Sequence, residues 1–292
     1  MQSLSTDVVI IGGGPAGLAC AMQLARYDID YLIFEKDETG GLLKYANLVE
    51  NYFGFSKGIK GMDLVKLMRR QLNTHDVNVL DDEIEGLRFE KNHFVAHGRY
   101  HIVRSRIAVI ASGTRPTPFR DFELPANVQK HVHYEVYKLL RAKSLRIGII
   151  GAGDAAFDYA LNLGRQNEVR IFNRRDNIKA LPLLVRRAGK DQRISYMENH
   201  TLTALEYAEG KIKAVFLMKG KTLEFYFDKM VFALGREPQL NFLSPGIGMQ
   251  MEILRERKKL FMIGDVVNGE ARQLSIATGD GIKCAMLLKD LI

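Results

Sequence analysis

The sequence predicts an α/β protein built from two strand–turn–helix units, and three observations carry that prediction. Two continuous apolar runs each lead into a glycine-rich turn and then into a helical run. A second apolar strand follows each helix at the same offset. The chain has 292 residues, room for two domains at about 150 residues each.

The first unit opens with Asp7–Ile11, apolar throughout its last four residues, as in a strand buried on both faces. Gly12-Gly13-Gly14-Pro15-Ala16-Gly17 follows, then Leu18–Ala25 at helical spacing. A G-x-G-x-x-G turn between strand and helix is the context a dinucleotide fingerprint requires. Its glycines allow the tight turn, the approach of backbone to a pyrophosphate, and close packing of helix on strand. The helix N-terminus adds unpaired N–H groups and partial positive charge. The next strand, Tyr31–Phe34, ends at Glu35, 23 residues after Gly12, where a carboxylate accepts hydrogen bonds from adenosine ribose hydroxyls. The alternative is a glycine-rich turn with no ligand.

Between the units, Gly61–Leu72 reads as an amphipathic helix with Met62, Leu64, Val65, Leu67 and Met68 as its apolar positions. Leu87–Val103 alternates as antiparallel strands, with a turn at His97-Gly98. Ile107–Ile110 is a buried strand, and Ala111–Pro116 is the exit from the first domain.

The second unit repeats the first. Leu145–Ile150 leads into Gly151-Ala152-Gly153-Asp154-Ala155-Ala156, the helical run Phe157–Leu163 and the strand Val169–Phe172. The residue 23 after Gly151 is Arg174, followed by Arg175 and then Lys179. Where the first unit has an acid, the second has cations. Guanidinium groups bind a ribose 2′-phosphate that a carboxylate would repel, so this site reads as one for NADPH. A solvated basic face is the alternative. Met230–Leu234 and Gly235–Pro238 return the chain, and Leu260–Ile263, Gly264-Asp265 and a helix over 276–292 complete it. The simplest layout is one domain over 1–113 and 240–292, with a second over 114–239 inserted into it.

Composition narrows the function. Hydrophobic residues make up 47% and charged residues 26%, as in ordinary globular proteins. The start of the chain lacks a basic leader, and no apolar run nears the ~18 residues that span a bilayer. A soluble, cytoplasmic protein with no membrane partner is expected. The net charge is +8, but residues 141–193 hold twelve Lys and Arg against five Asp and Glu. Phe157, Tyr159 and Phe172 there fall within apolar patterns, so a local anionic ligand is expected rather than nucleic acid. Cys20 and Cys284 are the only cysteines and lie far apart in sequence. Cys20 reads as a small buried side chain, and Cys284 lacks a basic activator beyond Lys283. His131 and His133 could face a metal together, but no third ligand is near, so packing or surface roles are the default and no metal is assigned. No side chain is assigned a catalytic role; the chemistry is left to a cofactor.

Several further motifs stand at matching places: Gly40-Gly41, Val49–Phe55, Ala111–Pro116, Asn173-Arg174-Arg175 with Lys179, Gly264-Asp265 and Arg272-Gln273. With the two glycine-rich turns, they make the chain resemble the two-dinucleotide-binding flavoproteins of the thioredoxin reductase type over nearly its whole length. The resemblance implies two Rossmann-like domains of the three-layer ββα type and a homodimer. It implies FAD held by Gly12, Gly14, Pro15, Ala16, Gly17, Glu35, Lys36, Gly40, Gly41, Leu42, Asn51, Ala111, Gly113, Gly264, Asp265, Arg272, Gln273 and Leu274. Asp265 would bind the ribityl chain, and the helix opening after Gln273 would point its positive end at the flavin pyrimidine edge. It further implies NADPH held by Gly151, Gly153, Asp154, Ala155, Asn173, Arg174, Arg175, Lys179, Gly235 and Arg236. Gly113 and Gly235 would be hinges for rotation of the NADPH domain.

The departures shape the function. Thioredoxin reductases carry a C-x-x-C pair where this chain reads His131-Val132-His133-Tyr134-Glu135-Val136, and dithiol exchange needs two thiols in reach. Leu42 stands where the family often has Gln, and Asn173 and Lys179 replace a usual His and Arg. His133–Val136 with Gly153–Ala160 is more similar to the thioredoxin-reductase-like ferredoxin–NADP reductases. Those carry a C-terminal extension over the flavin, and this sequence stops at Ile292 without one. The expected function is FAD-dependent NADPH oxidation, with flavin N5 taking the hydride. Electrons would pass to a small redox protein (ferredoxin or flavodoxin favoured), a quinone or another small oxidant. The rival is a non-catalytic FAD- and NADPH-binding sensor or scaffold.

Overall fold

The computed structural model describes residues 1–292, which divide into two compact units. Unit 1 is Met1–Arg115 with Glu237–Ile292, and unit 2 is Pro116–Arg236.

Unit 1 begins with β1 (Gln2–Ile11), α1 (Pro15–Arg26) and β2 (Tyr31–Glu35). Then come α2 (Gly61–Asn73), β3 (Val79–Asp81), β4 (Ile84–Glu90), β5 (His93–Gly98), β6 (His101–Ile110) and β7 (Thr114–Pro116). Strands β3, β2, β1 and β6 run parallel, side by side. The first half of β6 also pairs antiparallel with β5, which pairs with β4. The predicted turn at His97-Gly98 leads into the reversal at Arg99-Tyr100 that joins β5 to β6, and a second reversal precedes it. The β4–β5 reversal falls at Lys91-Asn92, both at positive φ (48° and 66°), the twist a two-residue hairpin requires. Gly98 closes β5 against Asp82, whose carboxylate a Cβ there would strike. On α2 the core face is Leu64, Val65 and Leu72, while Met62 and Leu67 are exposed. At 100° per residue these two point away from that stripe, which the density of apolar residues over 62–68 had obscured.

Unit 2 contains α3 (Ala126–Gln129), β8 (Val132–His133), β9 (Arg146–Ile150), α4 (Asp154–Leu163) and β10 (Glu168–Phe172). It continues with α5 (Pro182–Ala188), β11 (Ile194–Met197), β12 (Thr201–Ala208), β13 (Lys211–Met218), β14 (Lys221–Phe227) and β15 (Lys229–Phe232). Its parallel sheet has the order β11-β10-β9-β15-β8. One face packs on α4 and α5 through Ile147, Ile149, Phe157 and Leu163. The other meets the antiparallel sheet β12-β13-β14, with Phe172 stacked on Phe216 at 4.1 Å between ring centroids. That three-stranded sheet was not anticipated from sequence; a bulge between Leu202 and Ala204 breaks the alternation of its first strand.

The chain re-enters unit 1 through β16 (Arg236–Pro238), which pairs with β7, and adds α6 (Pro245–Glu256), β17 (Leu260–Met262) and α7 (Leu274–Lys289). Strand β17 joins the parallel sheet beside the second half of β6. Helices α1 and α7 share a core on one face of the sheet. Strands β4–β6 and helix α6 share another on the opposite face. Both units are therefore three-layer α/β domains of Rossmann type. No helix is long and apolar enough to cross a membrane.

Candidate functional site

In unit 1 the glycines of the first turn have different reasons to be glycine. Gly12 lies at φ +115°, and a Cβ on it would sit 2.3 Å from the Ala111 carbonyl oxygen. A Cβ on Gly17 would lie 2.0 Å from the Gly12 carbonyl oxygen. The fold itself demands these two. Gly14 is different: its φ is −77°, and a Cβ there would meet no atom within 4 Å. Gly14 is the N-cap of α1, which starts at Pro15 and Ala16 with no side-chain cap on its first-turn amides. Uncapped donors beside a space the protein leaves open fit a pyrophosphate, which is what FAD would place there.

The other predicted residues gather around this turn. Glu35 accepts the Gly13 amide at 2.7 Å on Oε2 and the Asp37 amide at 3.0 Å on Oε1, which fixes its carboxylate at the end of β2. Lys36 is turned aside to Glu83, 3.3 Å away. Gly40 donates to the Gly13 carbonyl, Gly41 packs on Gly14, and Leu42 lies half-exposed on the short helical turn that follows. Asn51 Nδ2 donates to Gln273 Oε1 at 2.7 Å, joining residues 222 apart in sequence at the start of α7, where Leu274 packs against the Leu43 cluster. Ala111 is hydrogen-bonded to Ile11, and Gly113 has φ +65°. Gly264, at φ +73°, packs against Ala16 and precedes Asp265; Arg272 closes the loop before α7 through a bond to Glu270. Sequence reasoning missed Asp280, whose carboxylate receives Gly264 N at 3.1 Å and Asn268 Nδ2 at 2.6 Å and so pins the turn that carries Asp265. It also missed Ser112 and Gln239, which line a pocket with Gly12, Glu35 and Lys36 and are linked by a 2.7 Å hydrogen bond. Neither has a one-dimensional signal; they meet only because β16 returns beside β7.

Unit 2 repeats the arrangement. Gly151 (φ +130°) would strike the Ala233 carbonyl with a Cβ at 2.2 Å, whereas Gly153 again has nothing within 4 Å. Asp154 Oδ1 accepts the Leu181 amide at 2.7 Å, and Lys179 N donates to the Ala152 carbonyl at 3.1 Å. The loop after β10 is thereby latched to the glycine turn and to Asp154 at the start of α4, where Ala155 follows exposed. Asn173 is buried and organises that loop. Its Nδ2 donates to the Asn177 carbonyl at 2.8 Å and to Tyr196 Oη at 2.9 Å, and its Oδ1 accepts Arg175 N at 3.2 Å. The side chains of Arg174, Arg175 and Lys179 are exposed and have no protein partner. Gly235 takes φ +105°, and Arg236 Nη1 donates to Glu135 Oε1 at 2.5 Å.

No group of three or more His, Cys, Asp or Glu converges in a way that could hold a metal ion. His131 stacks on Tyr207 and accepts from Lys229 Nζ at 3.1 Å. Burial, followed by the charge of Lys229, holds both His131 and His133 below the ordinary imidazole range.

The cysteines differ from their reading as isolated residues. Cys20 on α1 and Cys284 on α7 are both buried and hydrogen-bonded to each other. That bond, then burial, pushes the Cys20 thiol well above its usual value, so it stays protonated and unreactive. The double variant Cys20→Ala, Cys284→Ala should keep flavin reduction and turnover in a stopped-flow assay while losing a few kcal/mol of stability to the cavity. Loss of acceptor reduction with flavin reduction intact would reveal a thiol relay.

The sequence profile of the pyridine nucleotide-disulphide oxidoreductases matches residues 6–281. The chain belongs to that family. Members hold FAD and a nicotinamide dinucleotide, and this member is accordingly a flavin-dependent, NAD(P)H-linked oxidoreductase. It is 26% identical over 291 residues to the thioredoxin reductase of Bacillus subtilis (strain 168), covering 94% of this chain and 91% of the relative. It is 27% identical over 300 residues to the bifunctional thioredoxin reductase/thioredoxin of Mycobacterium leprae (strain TN), covering 96% of this chain but 64% of that protein. Among solved structures, Lactococcus lactis thioredoxin reductase in its FR conformation superposes with a TM-score of 0.85 at 26% identity, covering 98% of both chains.

Proposed function

We propose that the protein takes electrons from NADPH, in preference to NADH, and passes them through FAD to an external acceptor that is not a dithiol. The observation that carries the donor choice is the group of unpartnered cations, Arg174, Arg175 and Lys179, at the offset where unit 1 has Glu35. Bound NADPH supplies a hydride to the flavin, and the reduced flavin supplies electrons to the acceptor. The chain's own part is to hold and orient. Asn173 shapes the cationic loop, Gly153 leaves room for the pyrophosphate, and the first-turn amides of α4 face it without a side-chain cap. In unit 1, Glu35 presents a fixed carboxylate to the adenosine ribose, and Asp280 holds the Asp265 turn.

Three features support a small redox protein of the ferredoxin or flavodoxin class as acceptor, ahead of a quinone or other small oxidant. One is the His133–Val136 motif, which resembles that of the ferredoxin–NADP reductases. The others are the burial of both cysteines and the exposed cations Arg186, Lys190 and Arg193 at and beyond α5, which suit an acidic partner. A homodimer is supported by α7, which keeps Ile282, Met286 and Leu287 on its outward face although its inner face is already buried. Exposed apolar side chains grouped on one helix face mark a surface for a partner.

Arg174→Ala tests the donor choice. NADPH affinity should fall by about 1.5–3 kcal/mol, the worth of a hydrogen bond to a charged group, while NADH affinity stays nearly constant. The wild-type preference should also shrink with added salt, because exposed charges are screened. Equal losses for both dinucleotides by titration would assign the cluster another role. Anaerobic reduction with NADPH followed by an acceptor screen tests the remainder.

A further inference from the structure

Unit 2 contains one half-buried charged cluster for which neither the fold nor the cationic loop accounts. Glu135, two residues beyond β8, accepts Tyr159 Oη at 2.9 Å on Oε2 and Arg236 Nη1 at 2.5 Å on Oε1. The Glu135 and Arg236 side chains are only 18% and 15% exposed. Burial, and then the charge of Glu135, push the Tyr159 phenol far above its ordinary range, so it remains a hydrogen-bond donor. Withdrawing an ion pair from water gains little stability over an apolar pair of the same volume. Its position in the sheet supplies a better reason for it.

The strand order β11-β10-β9-β15-β8 reverses direction between β9 and β15. Open parallel sheets bind a dinucleotide across their carboxyl ends at such a reversal, one half on each side. Arg174 and Arg175 follow β10, on the adenosine side. Glu135 follows β8 and Arg236 follows β15, on the opposite side. Tyr159 projects from α4, the helix whose first turn faces the pyrophosphate. The segment with Glu135 is also the one that stands, by resemblance, where thioredoxin reductases carry their thiols.

We propose that Glu135 and Tyr159 are positioning residues that hold the Arg236 guanidinium toward the nicotinamide-side phosphate and ribose of NADPH. The inference rests on the reading of unit 2 as an NADPH site. It divides recognition in two: Arg174, Arg175 and Lys179 read the 2′-phosphate, and the Glu135–Tyr159–Arg236 cluster reads the nicotinamide half. Without Glu135 the guanidinium would lose its charged partner, and with it the aim that this partner sets.

The test compares two ligands on the flavin-loaded protein. NADPH spans both halves, whereas adenosine 2′,5′-bisphosphate carries only the adenosine half. Glu135→Gln keeps the side-chain shape but removes the charge. It should weaken NADPH about tenfold or more, as expected for loss of a charge-assisted hydrogen bond, and leave the bisphosphate within about twofold. Tyr159→Phe should shift NADPH in the same direction by less and also spare the bisphosphate. Unchanged NADPH affinity in Glu135→Gln overturns the proposal. Equal weakening of both ligands also overturns it, because the cluster would then be a scaffold for the unit as a whole. Failure of the wild-type protein to bind the bisphosphate would instead remove the NADPH reading beneath it, and the inference would fall with that.

Discussion

Gly14→Val protein should purify folded and colourless. The backbone at Gly14 is extended (φ −77°, ψ 179°), a conformation valine adopts readily, and no protein atom lies within 4 Å of the new Cβ. Exchanging a glycine N-cap for valine costs α1 about 1 kcal/mol, too little to unfold the unit. The branched side chain instead fills the space in front of the α1 amides, where the pyrophosphate must approach. FAD affinity should drop by well over tenfold, that is by more than about 1.4 kcal/mol. Absorbance of the purified protein reads FAD content directly, and circular dichroism reads the fold. Gly12→Val is the control with the opposite phenotype: at φ +115° and 2.3 Å from the Ala111 carbonyl, it should fail to fold whether or not FAD is supplied. Full FAD content in Gly14→Val would place the flavin elsewhere.

Asp82→Ala should be the most destabilising polar substitution in unit 1. The Asp82 side chain has no exposed surface, and it accepts the amides of Arg99 (2.8 Å), Tyr100 (3.1 Å) and His101 (3.0 Å) and the His101 ring Nδ1 (2.8 Å). Removing it leaves buried donors unanswered at the turn that joins β5 to β6, so a loss of about 3–5 kcal/mol is expected by urea unfolding at neutral pH. Burial alone would raise its pKa, but the His101 ring bond and then the amides of Tyr100, Arg99 and His101 outweigh that and hold it below the ordinary carboxylate range. A carboxylate depressed on folding stabilises above its unfolded pKa of about 3.9, and the gain is lost as pH falls through the lower folded value. Acid should therefore narrow the difference between wild type and Asp82→Asn. A difference constant from neutral pH into that acid range would mean that the charge contributes nothing.

The glycine turns, Glu35 and the Arg174–Arg175 offset were legible because each is local: a strand, a turn and a helix follow one another in a fixed register. Asp280, Ser112, Gln239 and Glu135 were not, because each acts on residues that only the tertiary fold brings close. Asp280 lies 16 residues from the Gly264 amide it holds, and Glu135 lies 101 residues from Arg236. The Cys20–Cys284 contact escaped for a related reason. Gly281 on α7 would place a Cβ 2.2 Å from the Ala16 carbonyl, so these two helices touch backbone to backbone, and small residues at either end of the sequence do not announce one another.

That helix contact also sets an order of events during synthesis. Unit 2 is continuous, and all of it precedes β17, Gly264 and α7 in the chain. A nascent protein made from the N-terminus can therefore close unit 2 while α1 still lacks the helix that packs along it. The first glycine-rich turn, although translated first, is among the last parts to gain its support, and stable flavin capture has to wait for α7.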